Sequence, residues 1–223
     1  MKRLLVFPCS LAFVTAAFGQ QSKSDSALGR ALAAFRAGKY EDAQKQIDIA
    51  EKINSKQPEV NNLRGAIFTK QKAFDQAEKQ YNAALALDPK CYPAKINLAD
   101  LDLLRGKYAE AKQRYEELQK LDPDSELLQF KLVLCAVMAG EDTNAFVIVN
   151  QMKFPGRTPA YYYSQAGIAL KAGQKENAQK YFTNVKKYYS EQECAYFAQS
   201  LRDLDLTMQP ATTPMPAPSA TAQ

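Results

Sequence analysis

Side chains that could do chemistry are sparse in this chain, and their pattern argues against an active site. Its 223 residues include no histidine, so the commonest general base and the commonest metal ligand are both missing. Cys9, Cys91, Cys135 and Cys194 are widely spaced and form no CxxC pair. A disulfide framework or a cysteine metal site would need denser spacing, so Cys91, Cys135 and Cys194 are expected to act as small apolar packing. There is no GxSxG elbow, phosphate-cradling glycine loop or cluster of metal ligands. Paired carboxylates occur at Glu116 and Glu117 and at Asp122 and Asp124, but on helix surfaces or helix ends such groups are ordinarily solvated charge. The expectation is a protein with no catalytic residue, no metal and no cofactor.

Aromatic residues crowd the last third, where Tyr161, Tyr162, Tyr163, Tyr181, Tyr188, Tyr189 and Tyr196 fall close together. At these spacings they read as core and rim of packed helices rather than a carbohydrate platform. The charge pattern also excludes a class of partner. Net charge is +5, but basic residues are interleaved with Asp and Glu and make no sustained stripe, so nucleic acid is not expected.

The elements that hold these residues repeat. Ala43, Ala77, Ala111 and Ala145 recur every 34 residues, in register with Gly38, Lys72, Gly106 and Gly140 and with Tyr40, Phe74 and Tyr108. A further unit follows after a one-residue deletion, with Gly173, Ala178 and Phe182 in the corresponding places. Within a unit, Tyr108, Ala111, Tyr115 and Leu118 return every three or four positions, which is a helix with one buried face. The glycines fall between two such helices, where a tight turn favours a residue tolerant of positive φ. Small residues at Ala31, Gly65, Ala99, Val133 and Ala166 can face the alanine ladder and let paired helices approach closely. Pro89 and Pro123 follow second helices and stop one hairpin before the next begins.

The blocks AGKYEDAQKQIDIA, KAFDQAEKQYNAALALDP and GKYAEAKQRYEELQKLDP resemble tetratricopeptide repeats. The resemblance spans residues 24–190 and implies an all-α fold, a right-handed superhelix or α-solenoid of about five helical hairpins. First helices are expected near 25–37, 59–71, 92–104, 124–138 and 158–172, and second helices near 40–54, 74–87, 108–121, 142–153 and 175–189. Residues 191–206 would supply a capping helix. The domain plan is a signal peptide at 1–19, a short linker at 20–24, the array with its cap at 25–206, and a disordered Pro/Ala/Thr-rich tail at 207–223.

The signal peptide is read from a basic start at Lys2 and Arg3, an apolar stretch from Leu4 to Ala17, and small residues at Ala17 and Gly19 before a cut ahead of Gln20. The apolar run falls short of the roughly 20 residues that cross a bilayer. An exported protein, periplasmic or extracellular and without a stable membrane span, is expected.

The resemblance further implies that first helices line a concave groove for a protein or peptide. It places Asn62, Asn97, Asp100, Leu127, Phe130, Lys131, Leu134, Val137, Met138 and Tyr163 there. Some members of the family clamp a terminal carboxylate with Lys, Arg and Asn residues. Here Ala66 stands where a second Asn is wanted and Asp100 would repel a carboxylate, so no such clamp is expected. The segment ELLQFKLVLCAVMAG is apolar all round, which normally means buried all round. Closure against Tyr163 and the fifth repeat, self-association, or an apolar partner could each bury its extra stripe. In the partner case Phe130 is the anchor, Met138 adapts and Lys131 sits at the rim. Two functions are compatible with this: an exported scaffold serving envelope assembly or export, and a periplasmic holdase binding apolar segments of unfolded chains.

Overall fold

The computed structural model describes the backbone of residues 10–208 and the side chains of residues 22–208. Among the described residues there are eleven helices and no strand. The expected signal peptide lies outside them up to Cys9, as does the tail beyond Met208. Two compact units divide the chain, Met1–Leu101 and Asp102–Gln223.

In the first unit α1 (Ser10–Arg36), α2 (Tyr40–Ile53), α3 (Pro58–Lys70) and α4 (Phe74–Leu87) form two hairpins, followed by most of α5 (Tyr92–Leu104). Residues 20–24, expected as a linker, belong to α1, because no proline interrupts the chain between Pro8 and Pro58. Ala27 and Ala31 on α1 pack with Ala43, Ile47 and Ala50 on α2 and with Val60, Leu63 and Ile67 on α3. Gly65 on α3 is required by close approach, since a Cβ there would lie 2.5 Å from Cε1 of Tyr81 on α4. Tyr81 is itself buried, and its hydroxyl meets that of Thr69 at 2.9 Å.

The second unit holds α6 (Tyr108–Gln119), α7 (Glu126–Ala139), α8 (Asp142–Gln151), α9 (Ala160–Lys171), α10 (Lys175–Val185) and α11 (Glu191–Asp203). Second helices α6, α8 and α10 each turn a buried alanine inward, Ala111, Ala145 and Ala178. The capping helix α11 begins at a reciprocal capping box, in which Ser190 accepts from the Glu193 N–H while the Glu193 carboxylate accepts from the Ser190 N–H.

One turn recurs at the end of every first helix. Gly38, Lys72, Gly106, Gly140 and Gly173 all have positive φ, between 59° and 76°. The N–H of the next residue reaches back to close the helix, as from Lys39 to the Ala34 carbonyl at 2.9 Å and from Glu141 to the Ala136 carbonyl at 2.8 Å. These are the left-handed helix stops that the glycine ladder predicts. Lys72 adopts the same conformation without glycine's freedom, so the position is set by the repeat and not by the residue.

Candidate interaction site

The expected groove residues separate into two environments. In the first unit, Asn62 on α3 and Asn97 on α5 are half-buried, and the Asn97 amide donates to Asn62 Oδ1 at 2.8 Å. Asp100, one helical turn beyond Asn97, is also half-buried. The side of α3 away from this pair carries Arg64, which donates to Asp48 at 3.0 Å and Glu51 at 2.8 Å on α2. The bond from Arg64 holds the Glu51 carboxyl below its ordinary range.

In the second unit the apolar stripe of α7 is covered by the chain itself. Phe130, at 0% exposure, meets the Phe197 ring of α11 edge-on with centroids 5.0 Å apart. Leu134 and Val137 are equally buried, and Tyr163 packs on Phe197 at 5.8 Å. Lys131 is only 3% exposed, donating to Ser200 Oγ at 3.1 Å with its ammonium 4.9 Å over the Tyr196 ring. A Cβ on Gly167 of α9 would stand 3.2 Å from Leu201 of α11 and 3.5 Å from Leu134 of α7. Three helices therefore meet over the stripe. Of the three ways of burying it, closure by the protein's own C-terminal part is the one realised, through α9 of the fifth repeat and through α11 at Phe197. Phe130, Lys131, Leu134, Val137 and Tyr163 thus lie in a core rather than on an open surface, while Leu127 and Met138 are half-buried at its margins.

Another surface was not anticipated. The connection between α8 and α9, Met152 to Pro159, is longer than the connections 54–57 and 88–91 between earlier hairpins. It is pinned from two sides. Glu126, buried at the start of α7, accepts from the Arg157 N–H at 2.8 Å, the Thr158 N–H at 2.7 Å and the Thr158 hydroxyl at 2.6 Å. Burial alone would raise the Glu126 carboxyl, but these donors and the Arg157 charge hold it below the usual range. From the other side, the Tyr189 hydroxyl donates to the Pro155 carbonyl at 2.6 Å and sits 3.1 Å from that of Gly156.

The pinned connection presents Phe154 with 63% of its surface exposed. Its ring meets Tyr161 at 5.1 Å and Tyr162 at 5.8 Å, and Tyr162 in turn stacks on Tyr188 at 5.8 Å. Tyr188 is 55% exposed, whereas Tyr162 is buried beneath the group. Burial, followed by the neighbouring Tyr188 and Tyr189, pushes the Tyr162 hydroxyl up to about 12. Lys153 and Arg157 flank Phe154 in the chain, and Lys186 and Lys187 precede Tyr188; all four are exposed. The result is an aromatic surface among charged residues of both signs, with Lys153 3.7 Å from Asp124 and Arg157 3.9 Å from Glu126, held in place by a buried carboxylate. The tyrosine crowding signals it in the sequence, but nothing there shows which rings are covered.

Among the described residues no group of His, Cys, Asp and Glu is arranged to hold a metal ion. Cys91, Cys135 and Cys194 are free and buried. No helix of the described residues is long and apolar enough to cross a membrane.

Comparison with known proteins agrees with the hairpin geometry. Two family models, both described as tetratricopeptide repeat, match residues 28–90 and 68–134. The chain carries tetratricopeptide repeats, a fold that is typically a non-catalytic scaffold binding protein partners. It is 34% identical over 96 residues to the protein O-mannosyl-transferase TMTC1 of Mus musculus, covering 40% of this chain and 10% of that protein. It is 33% identical over 137 residues to the mitochondrial import receptor subunit TOM70 of Saccharomyces cerevisiae, covering 57% of this chain and 22% of the receptor. The chain thus spans only a minor part of these relatives. A tetratricopeptide repeat protein from Parabacteroides merdae superposes with a TM-score of 0.66 at 20% identity, over 85% of this chain and 74% of the other. PilW, described as a widely conserved type IV pilus biogenesis factor, gives 0.60 at 18% identity, over 82% and 88%. At these identities the likeness is one of fold, an α-solenoid of helical hairpins.

Proposed function

We propose that this protein is an exported scaffold that docks one protein partner through the aromatic surface around Phe154 and Tyr188, in the service of cell-envelope assembly or export. The observation that carries the reading is the rigid presentation of Phe154. A buried carboxylate with three close donors and a tyrosine hydroxyl are used to fix a connection that presents a phenylalanine, Phe154, to solvent. Rigid aromatic anchors set in a polar border are what protein interfaces concentrate their binding energy on. The exposed rings favour a partner segment with apolar side chains. Export rests on the basic and then apolar composition of residues 1–19, and the envelope role gains support from the fold shared with PilW. The holdase alternative depends on an open apolar groove, and the burial of Phe130 and Leu134 leaves it the weaker reading.

The test is affinity capture from the native envelope with the wild type and with Phe154→Ala combined with Tyr188→Ala. Loss of two exposed anchors should weaken capture by about 2 to 4 kcal/mol while the melting temperature is kept. Unchanged capture would overturn the docking assignment, and suppression of aggregation of unrelated unfolded proteins would favour the holdase. Export is tested separately by the mature N-terminus, expected at Gln20 in an envelope fraction; retained Met1 there would contradict it.

A further inference from the structure

Phe146 departs from the pattern of the second helices. The residue after the ladder alanine is polar in the other repeats, Gln44, Glu78, Lys112 and Gln179, so stacking of the hairpins does not call for an apolar side chain there. On α8 the place is taken by a phenylalanine with 48% of its surface exposed. Two positions further on, the polar Gln46, Gln80 and Arg114 of the first three repeats give way to Ile148 in α8 and to Tyr181 in α10. Neither Phe146 nor Tyr181 touches another ring among the described residues, although most aromatic side chains of this unit are clustered.

Both line one pocket of about 410 Å³. Ile168 and Ala169, buried on α9, supply apolar lining, and Gln165 of α9 and Asn184 of α10 bring carboxamides to it. In the first repeat the places of Gln165 and Tyr181 are held by Arg30 and Gln46, and the Arg30 guanidinium donates to Gln46 at 2.8 Å. The fifth repeat has no such pair. Gln165 donates to the Tyr161 hydroxyl at 3.2 Å, which leaves its carbonyl oxygen for a ligand. Among the described residues neither the Tyr181 hydroxyl nor the Asn184 carboxamide makes a hydrogen bond. The pocket thus combines two rings, an apolar lining and three polar groups with unused capacity.

We propose that this pocket binds an N-acetylated sugar, one or two residues of a neutral glycan, with C–H faces of the pyranose against Phe146 and Tyr181 and the polar edge of the sugar on Gln165 and Asn184. A pyranose is apolar on its faces and polar around its rim, which matches rings set among carboxamides. A carboxamide offers a donor and an acceptor side by side, and an acetamido group offers the same pair in return. The charge balance points to an uncharged ligand. No carboxylate lines the pocket, and its one ammonium, Lys180, is exposed and donates to Asn177 at 3.4 Å. The volume lies within the range of small-ligand sites. This site is distinct from the docking surface of the proposed function, since neither Phe154 nor Tyr188 lines it.

Titration of the full chain with the trimer of N-acetylglucosamine, followed by saturation-transfer NMR and calorimetry, tests this. Binding is expected, and it should weaken about tenfold in Phe146→Gln and again in Asn184→Ala, the loss of one aromatic contact or one hydrogen-bonding group. Phe146→Gln restores the polar residue of the other repeats and should keep the melting temperature, so a folding defect does not obscure the result. The glucose trimer, which lacks the acetamido group, should bind about tenfold more weakly than its N-acetylated counterpart. No binding of the N-acetylated trimer, equal binding of the two trimers, or binding that survives both substitutions would overturn the proposal. Capture of the protein partner should be unaffected by Phe146→Gln. If that variant instead loses capture and the wild type binds no sugar, the pocket belongs to the protein interface and the proposal fails while the docking reading stands.

Discussion

Changing Phe130 to Ala distinguishes the covered stripe of α7 from an open groove. Phe130 is fully buried, touches Phe197 of α11 edge-on at 5.0 Å, and lies one helical turn from Leu134, which is fully buried as well. Truncating such a side chain loses its transfer free energy and leaves a cavity, together costing about 3 to 5 kcal/mol. For a chain of this length that is a fall in melting temperature of about 6 to 20 °C. A double-mutant cycle with Phe197→Ala should return a coupling of about 0.5 to 1.5 kcal/mol from the ring pair. Partner capture, measured well below the lowered transition, should be unchanged. Thermal unfolding by circular dichroism together with quantitative capture decides the matter. A variant that keeps its melting temperature and loses capture would refute the assignment of Phe130 to the core, and with it the account of α11 as a cover.

Two further perturbations bear on the pinned connection and the buried tyrosines. Glu126→Ala leaves the Arg157 and Thr158 N–H groups without their acceptor and should cost about 3 kcal/mol. Partner capture should weaken too, since Phe154 loses its support; a variant with wild-type stability and capture would show that the clamp does not position Phe154. Burial raises the hydroxyls of Tyr81, Tyr162 and Tyr163, that of Tyr162 to about 12. For such groups the stabilising contribution is fully present below the unfolded value of about 10 and is lost as pH rises through the folded value. Melting temperature should therefore fall steeply between about pH 10 and 12, with phenolate absorbance appearing on unfolding. A flat profile across that window would contradict the burial of these rings.

Much of the array was legible in the sequence because each repeat states its own boundaries. Spacing of the alanine and glycine ladders places α5 and α4 at their observed bounds, and Lys72 adopts positive φ where its neighbours in the ladder are glycine. Periodicity also marks α7 as apolar all round. What covers it was not legible, because the contact between Phe130 and Phe197 joins helices far apart in the chain, and no local pattern specifies such a pairing. The same reason hides the clamp at Glu126, a residue that reads as an ordinary first-turn acid until the connection 152–159 folds back onto it. Tyrosine crowding gave the neighbourhood of the aromatic surface but not its exposed members. Phe154 and Tyr162 lie eight residues apart and their rings touch, yet one is presented and the other buried.

The central claim is that the partner docks on the aromatic surface and not on the α7 stripe. A photoreactive side chain placed in living cells at Phe154, at Tyr188 and, separately, at Phe130 tests it most directly. One crosslinked product of the same mass from positions 154 and 188, and none to another protein from position 130, is the predicted result. Crosslinks to a partner from position 130 with none from 154 or 188 would contradict it.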